Sequence, residues 1–237
     1  RRRGELEEAL GALQEGLRVD PQDADLHNEL GKVYEGQGDH ERALDAYDEA
    51  LALQPKAARY HRDRASVLKE LGRLGEATRG LRKAIELDGE GAGEGVDARH
   101  HGRSRRSTYH ELGVVLALQD RKEEALEAFR KALQLAPERA ETHYDYGRTC
   151  QRLGNHQEAI DAFGRALNLA NGQDAEGAPA HWPEAHYHLG RSYQAQGDRE
   201  KALRHYRRAA ELAPQEAAYK RAMGTIYRWQ GRIDDAI

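Results

Sequence analysis

The chain is poor in the residues that staple or span. Its 237 residues hold a single cysteine, which excludes a disulfide framework within the chain without assigning a compartment. Cys150 falls where a small apolar side chain is expected, so it reads as core packing. Long apolar runs are absent, and no stretch approaches the ~20 residues that a bilayer-spanning helix needs. An excess of one charge is lacking too: 37 Lys and Arg against 41 Asp and Glu leave −4, which gives no ground for a nucleic-acid or anionic-membrane partner. Mean hydropathy is −0.94 and 33% of residues are charged, polar for a globular domain of this length. That balance suits a thin stack of helices, each with much surface in water.

Catalytic patterns are equally scarce. No Ser/His/Asp or Cys/His arrangement repeats a known catalytic spacing, and carboxylates are scattered over outer helix faces. Gly91, Gly93 and Gly95 alternate, but no strand precedes them, so they read as a flexible loop and not as a phosphate cradle. Twelve histidines invite a metal reading. His186 and His188 are two apart on a helix and face different sides, and His100-His101 have no cluster of ligand spacing beside them. The expectation is a chain with no enzymatic activity, no metal and no cofactor.

What the sequence does contain is one unit, repeated. The stretch from Pro183 to Pro214 reads as two short amphipathic helices, with apolar or small residues at His186, Leu189, Gly190 and Tyr193, then at Ala202, Tyr206 and Ala209. Gln196-Gly197-Asp198 separates them. Gly197 suits a left-handed helix end, Asp198 an N-cap, and Pro214 a helix stop. Counterparts of Gly190 stand at Gly31, Ala65, Gly113, Gly147 and Gly224, and the steps 31 to 65, 113 to 147 and 190 to 224 are each 34 residues. Twelve residues after each small residue comes Ala43, Ala77, Ala125, Ala159, Ala202 or Ala236, and four further on Tyr47, Leu81, Phe129, Phe163 or Tyr206. Small residues let two helices cross closely, and bulky ones fill the space beside them. One such pair cannot bury its apolar face alone, so neighbours must stack.

Leu30-Gly31-x2-Tyr34, Ala43-x3-Tyr47 and Pro55, like Leu189-Gly190-x2-Tyr193, Ala202-x3-Tyr206 and Pro214, closely resemble the tetratricopeptide repeat. The resemblance covers nearly the whole chain outside two insertions. It implies an all-α solenoid, a right-handed superhelix of antiparallel helix pairs. As one domain over 1–237 it would comprise a partial repeat at 1–23 and repeats at 24–57, 58–91, 106–139, 140–173 and 183–216. A partial repeat at 217–237 completes it, with insertions at 92–105 and 174–182. The basic stretch Arg99 to Arg106 reads as a loop, and the second insertion is expected to bulge outward.

The resemblance also implies that the first helices line a concave groove. Its exposed stripe lies at offsets −6, −3, +1 and +4 from the small residue, which keep one helix face. The candidate ligand residues on or near it are Asn28, Lys32, Arg59, Arg62, Lys69, His110, Tyr144, Arg148, Gln151, Tyr187, Arg191, Gln194, Arg221 and Arg228. Over the whole stripe eight Lys and Arg face four Asp and Glu, a positive groove in a negative chain. Two repeats carry the same set, Glu141, Tyr144, Arg148 and Gln151 then Glu184, Tyr187, Arg191 and Gln194.

Three functions compete. Family resemblance implies a protein-interaction scaffold holding an extended, anionic peptide or protein segment. Neither end carries a polar cap, which leads to the expectation of a structural, homo-oligomeric or filamentous subunit whose ends stack. Tyr144 and Tyr187 could instead stack on sugar rings, making a glycan the ligand.

Overall fold

The computed structural model describes the backbone of residues 2–90, 97–170 and 182–229, and the side chains of 6–89, 106–170 and 182–229. Among these residues every regular element is helical. In chain order the helices are α1 (Arg2–Val19), α2 (Ala24–Gln37), α3 (His40–Leu53), α4 (Ala58–Glu70), α5 (Leu74–Glu90) and α6 (Asp97–Leu118). They continue with α7 (Lys122–Leu135), α8 (Ala140–Arg152), α9 (His156–Ala170), α10 (Pro183–Ala195), α11 (Arg199–Leu212) and α12 (Ala217–Trp229).

Local chemistry sets the helix ends. Asp23 caps α2 by accepting from the backbone N–H of Asp25 at 2.8 Å and of Leu26 at 3.2 Å. Asp39 and Asp198 cap α3 and α11 through the N–H groups of Arg42 and Lys201. First helices end on residues with positive φ, where a Cβ is unwelcome: Gly38 at 80°, Gly72 at 71°, Gly154 at 82° and Gly197 at 86°. Asp120 takes this role after α6 with φ 60°, one of the few residue types other than glycine that visits that region. Proline at 55 stops α3 at Leu53, whereas Gly89 in the equivalent place lets α5 run on to Glu90.

The stretch 99–106 departs from the sequence expectation. Its backbone is helical from Asp97 and forms the first turns of α6, not a loop. It contains no proline, its helix opens with the acidic Asp97, which favours a helix N-terminus, and arginine propagates a helix well. Trp182 is not part of an outward bulge: it is 9% exposed and directly precedes Pro183 at the start of α10. The remaining insertion residues, 174–181, and the stretch after Trp229 lie outside the described residues.

The chain divides into two compact units, Arg1–Arg121 with α1 to α6 and Lys122–Ile237 with α7 to α12. In each, every helix packs on the next. First helices also meet across repeats, α2 with α4 and α4 with α6 in unit 1, and α8 with α10 in unit 2.

In three of the repeats the glycine lies under an aromatic ring. A Cβ on Gly31 would stand 2.6 Å from Cε1 of Tyr47, and one on Gly190 would stand 2.7 Å from Cδ1 and Cε1 of Tyr206. At Gly147 the gap to Phe163 is 3.0 Å. The sequence pairs Gly190 with Ala202. In the structure the Tyr206 ring covers Gly190, and Ala202 contributes its carbonyl oxygen at 3.2 Å. The repeat at 58–91 carries Ala65 and Leu81 instead, so the larger small residue comes with a side chain that can bend away. Tyr47, Phe129 and Phe163 are fully buried, and Tyr206 is 1% exposed.

Candidate functional site

In unit 1 the first-helix stripe is occupied by its own chain. The Asp25 carboxylate receives the Arg59 guanidinium and, at 2.5 Å, the Tyr60 hydroxyl. Arg59 also lies over the Tyr60 ring, 4.7 Å from its centre. Asn28 is 2% exposed and donates to Asp63 at 3.0 Å, so it is no part of an open surface. Lys32 pairs with Glu29 at 2.7 Å and Asp63 at 3.6 Å. Glu35 accepts from the Tyr47 hydroxyl and from Ser66 in the next repeat, both at 2.9 Å. Arg62 reaches Thr108 at 3.5 Å, and Lys69 pairs with Glu70 at 3.0 Å. His110 is half-buried on α6. At the next residue, burial pushes the Glu111 carboxyl above its ordinary range, opposed by Arg62 and by a hydrogen bond from Ser107.

Unit 2 differs. Tyr144 stacks on Trp182 with ring centres 4.5 Å apart and meets Phe163 and His188 edge-on. Burial pushes its phenol up to about 12, against the pull of Arg148. Arg148 is exposed, lies 5.7 Å over the Tyr144 ring and stands 3.8 Å from Asp145. Burial raises the Asp145 carboxyl to about 6. Tyr187 packs between Tyr206 and Tyr219, at 5.7 and 5.1 Å. Arg191, Arg221 and Arg228 are exposed, and no carboxylate stands within ion-pair distance of them among the described residues.

The two glutamines, equivalent in sequence, do different work. Gln151 reaches forward: its amide donates to the His188 carbonyl at 2.9 Å and to Ser192 at 2.8 Å, and its oxygen accepts from His188 Nδ1 at 2.9 Å. Gln194 instead accepts the Tyr206 hydroxyl at 2.6 Å within its own repeat. The reason lies sixteen residues after each glycine, where Phe163 has no hydroxyl to satisfy and Tyr206 has one. Glu35 and Tyr47 repeat the second arrangement. At Glu35, Gln151 and Gln194 the +4 side chain is therefore a structural bridge, and neither glutamine lies free on an open groove.

Sequence reasoning passed over three features. Trp182 stacks on one face of the Tyr144 ring. His188 is a packing and hydrogen-bonding side chain whose imidazole burial drives down to about 4. His27, His61 and His143 each hydrogen-bond through Nε2 to the carbonyl of Pro21, Pro55 or Pro137, at 3.0, 2.8 and 2.8 Å. The recurring Pro-x5-His spacing was legible as the signal for the last of these. Among the described residues no group of three or more His, Cys, Asp and Glu could hold a metal ion, and no helix is long and apolar enough to cross a membrane.

Stacked helix pairs with a glycine under an aromatic ring, at a 34-residue period, define a class of helical repeat protein. Four family models, each described as tetratricopeptide repeat, match residues 1–58, 30–100, 104–172 and 183–216. The chain belongs to the tetratricopeptide-repeat family, and its fold is the all-α fold of that family. Among solved structures it is similar to YrrB, described as a TPR protein with an unusual peptide-binding site: 22% identity over 88% of this chain and 95% of that one, TM-score 0.67. PilF of Pseudomonas aeruginosa matches at 21% identity over 97% and 90%, TM-score 0.71. MamA matches at 21% over 83% and 94%, TM-score 0.65. At these identities the likeness is one of fold. No curated protein matches the chain.

Proposed function

We propose that the chain is a non-enzymatic interaction scaffold, and that the first-helix face of unit 2 holds an extended anionic peptide or protein segment. The family is one of protein-interaction scaffolds, and the peptide-binding site of YrrB is a use of the same fold in another protein. The observation that carries the finer reading is the set of exposed guanidinium groups at Arg191, Arg221 and Arg228, unpaired among the described residues, with Arg148 beside them on α8. Unit 1 spends its equivalents, Lys32, Arg59, Arg62 and Lys69, on its own side chains. A guanidinium with no internal partner is free to take a carboxylate in bidentate geometry. The glycan reading loses support, because Trp182 covers Tyr144 and Tyr187 is packed against two other tyrosines.

The probe is a fluorescein-labelled Glu/Gly peptide, read by anisotropy, with a Lys/Gly peptide as its control. Arg191→Ala with Arg221→Ala should weaken binding tenfold or more, at ~1.5–3 kcal/mol per charged hydrogen bond lost. Arg59→Ala with Lys69→Ala in unit 1 should leave it within about twofold, since exposed charges already paired contribute little. Equal affinity for all three proteins would overturn the assignment.

A further inference from the structure

The repeats present a second set of surfaces, on the outward side of the second helices, and their charges are not alike. Aligned on the alanine of each repeat, α3 carries Asp45, Asp48 and Glu49 where α11 carries Arg204, Arg207 and Arg208. These positions lie at i, i+3 and i+4, a single helix face. All six side chains are exposed. The inversion extends to the whole helices. In α3, Arg42 faces Glu41, Asp45, Asp48 and Glu49, a surplus of three negative charges. In α11, Arg199, Lys201, Arg204, Arg207 and Arg208 face Glu200 and Glu211, a surplus of three positive charges. The second helices between them are near balance. α7 sets Lys122, Arg130 and Lys131 against Glu123, Glu124 and Glu127, and α9 sets Arg165 against Glu158 and Asp161.

The α5 helix tests whether α11 is special. It also bears a basic triplet, Arg79, Arg82 and Lys83, but the same helix carries Glu76, Glu86, Asp88 and Glu90, and Lys83 is held by Glu86 at 2.9 Å. Its field is cancelled locally. On α11 the cancellation is partial: Arg208 meets Glu211 at 3.1 Å and Arg207 meets the Tyr227 hydroxyl at 2.9 Å, while among the described residues Arg204 has no carboxylate within ion-pair distance. On α3, Asp48 is held by Arg64 at 2.5 Å, and among the described residues Asp45 and Glu49 have no such partner.

We infer that the α3 face of one copy and the α11 face of another form a contact, so that the chain associates with itself through unlike, oppositely charged helices. Two stripes of the same spacing and opposite sign set acidic side chains against basic ones. Complementary fields of this kind set register and encounter rate, and their contact is weak and salt-sensitive. The contact uses the flanks of the repeats and not their ends. It also leaves the unit 2 first-helix face available, so it stands apart from the peptide reading.

The experiment is a charge swap read by sedimentation velocity. Wild-type protein should associate with rising concentration at about 0.01 M salt, where the Debye length is roughly 30 Å, and dissociate at about 1 M, where it is roughly 3 Å. Asp45→Arg with Glu49→Arg, and separately Arg204→Glu with Arg208→Glu, should each weaken association tenfold or more. An equimolar mixture of the two variants should associate again, because each then offers the other a complementary face. Circular dichroism of each variant controls for folding, and neither removes the Asp48–Arg64 or Arg207–Tyr227 interaction. A wild-type protein that stays monomeric at low salt, or variants that associate as wild type does, overturns the inference. So does a mixture that stays monomeric.

Discussion

Gly190→Ala is the most informative single change. Its Cβ would stand 2.7 Å from two ring carbons of Tyr206 and 3.2 Å from the Ala202 carbonyl. The ring cannot easily give way, because Tyr206 is 1% exposed and its hydroxyl is fixed on Gln194 at 2.6 Å. Two terms oppose each other. Alanine in place of a mid-helix glycine favours folding by roughly 0.5–1 kcal/mol. Overpacking of a well-filled core costs about 1–3 kcal/mol. The net expectation is a loss of ~1–2 kcal/mol, or about 2–8 °C in Tm at the ~2–4 °C per kcal/mol typical of a chain this long. Gly147→Ala, with Phe163 at 3.0 Å, should come out milder. The repeat at 58–91 supplies the rescue: Ala65 with Leu81 is what a relaxed version of this crossing contains. Tyr206→Leu alone should destabilise, and Gly190→Ala added to it should cost nothing further or restore part of the loss. The assay is a double-mutant cycle by urea unfolding followed by circular dichroism. Additive effects of the two changes would refute the claim that the ring is what excludes a Cβ at position 190.

Gln194→Ala should cost ~0.5–1.5 kcal/mol, the net value of the hydrogen bond it takes from Tyr206, and Tyr206→Phe in the same chain should remove most of that cost. Stability should fall as pH drops from about 6.5, where the unfolded histidines take up protons, to about 4, where folded His186 and His188 do. Burial keeps both rings neutral in the folded state, and His186 also faces His205 with Nδ1 atoms 3.1 Å apart. Asp145 works the other way: its carboxyl protonates near 6 when folded, so it adds stability over the lower part of that window. A Tm that rises between pH 6.5 and 4 would contradict the balance, and His186→Gln should flatten the fall. Cys150, buried and with its thiol pushed up to about 12, should resist a thiol-reactive dye at neutral pH until the chain is unfolded. Labelling of the folded protein at the rate of a free thiol would refute this.

Sequence alone determined the helices, their order and their period. Those follow from local rules that need no partner: small and bulky residues at fixed offsets, aspartate before a helix, glycine after one, proline to stop it. Even so, the start of α6 escaped it, because a basic run without proline is compatible with both loop and helix. Charge and spacing put the candidate stripe on the first helices, but could not tell a free side chain from a paired one. Asn28 and Arg148 look equally available in the sequence, yet Asn28 is buried against Asp63, 35 residues away, while Arg148 keeps half its side chain in water. Gln151 and Gln194 sit in identical local patterns and part ways only because Phe163 or Tyr206 stands opposite. Which polar groups remain free for a partner is set by what each meets across a helix crossing. Those meetings depend on distances between residues far apart in the chain, and only the packed helices fix them.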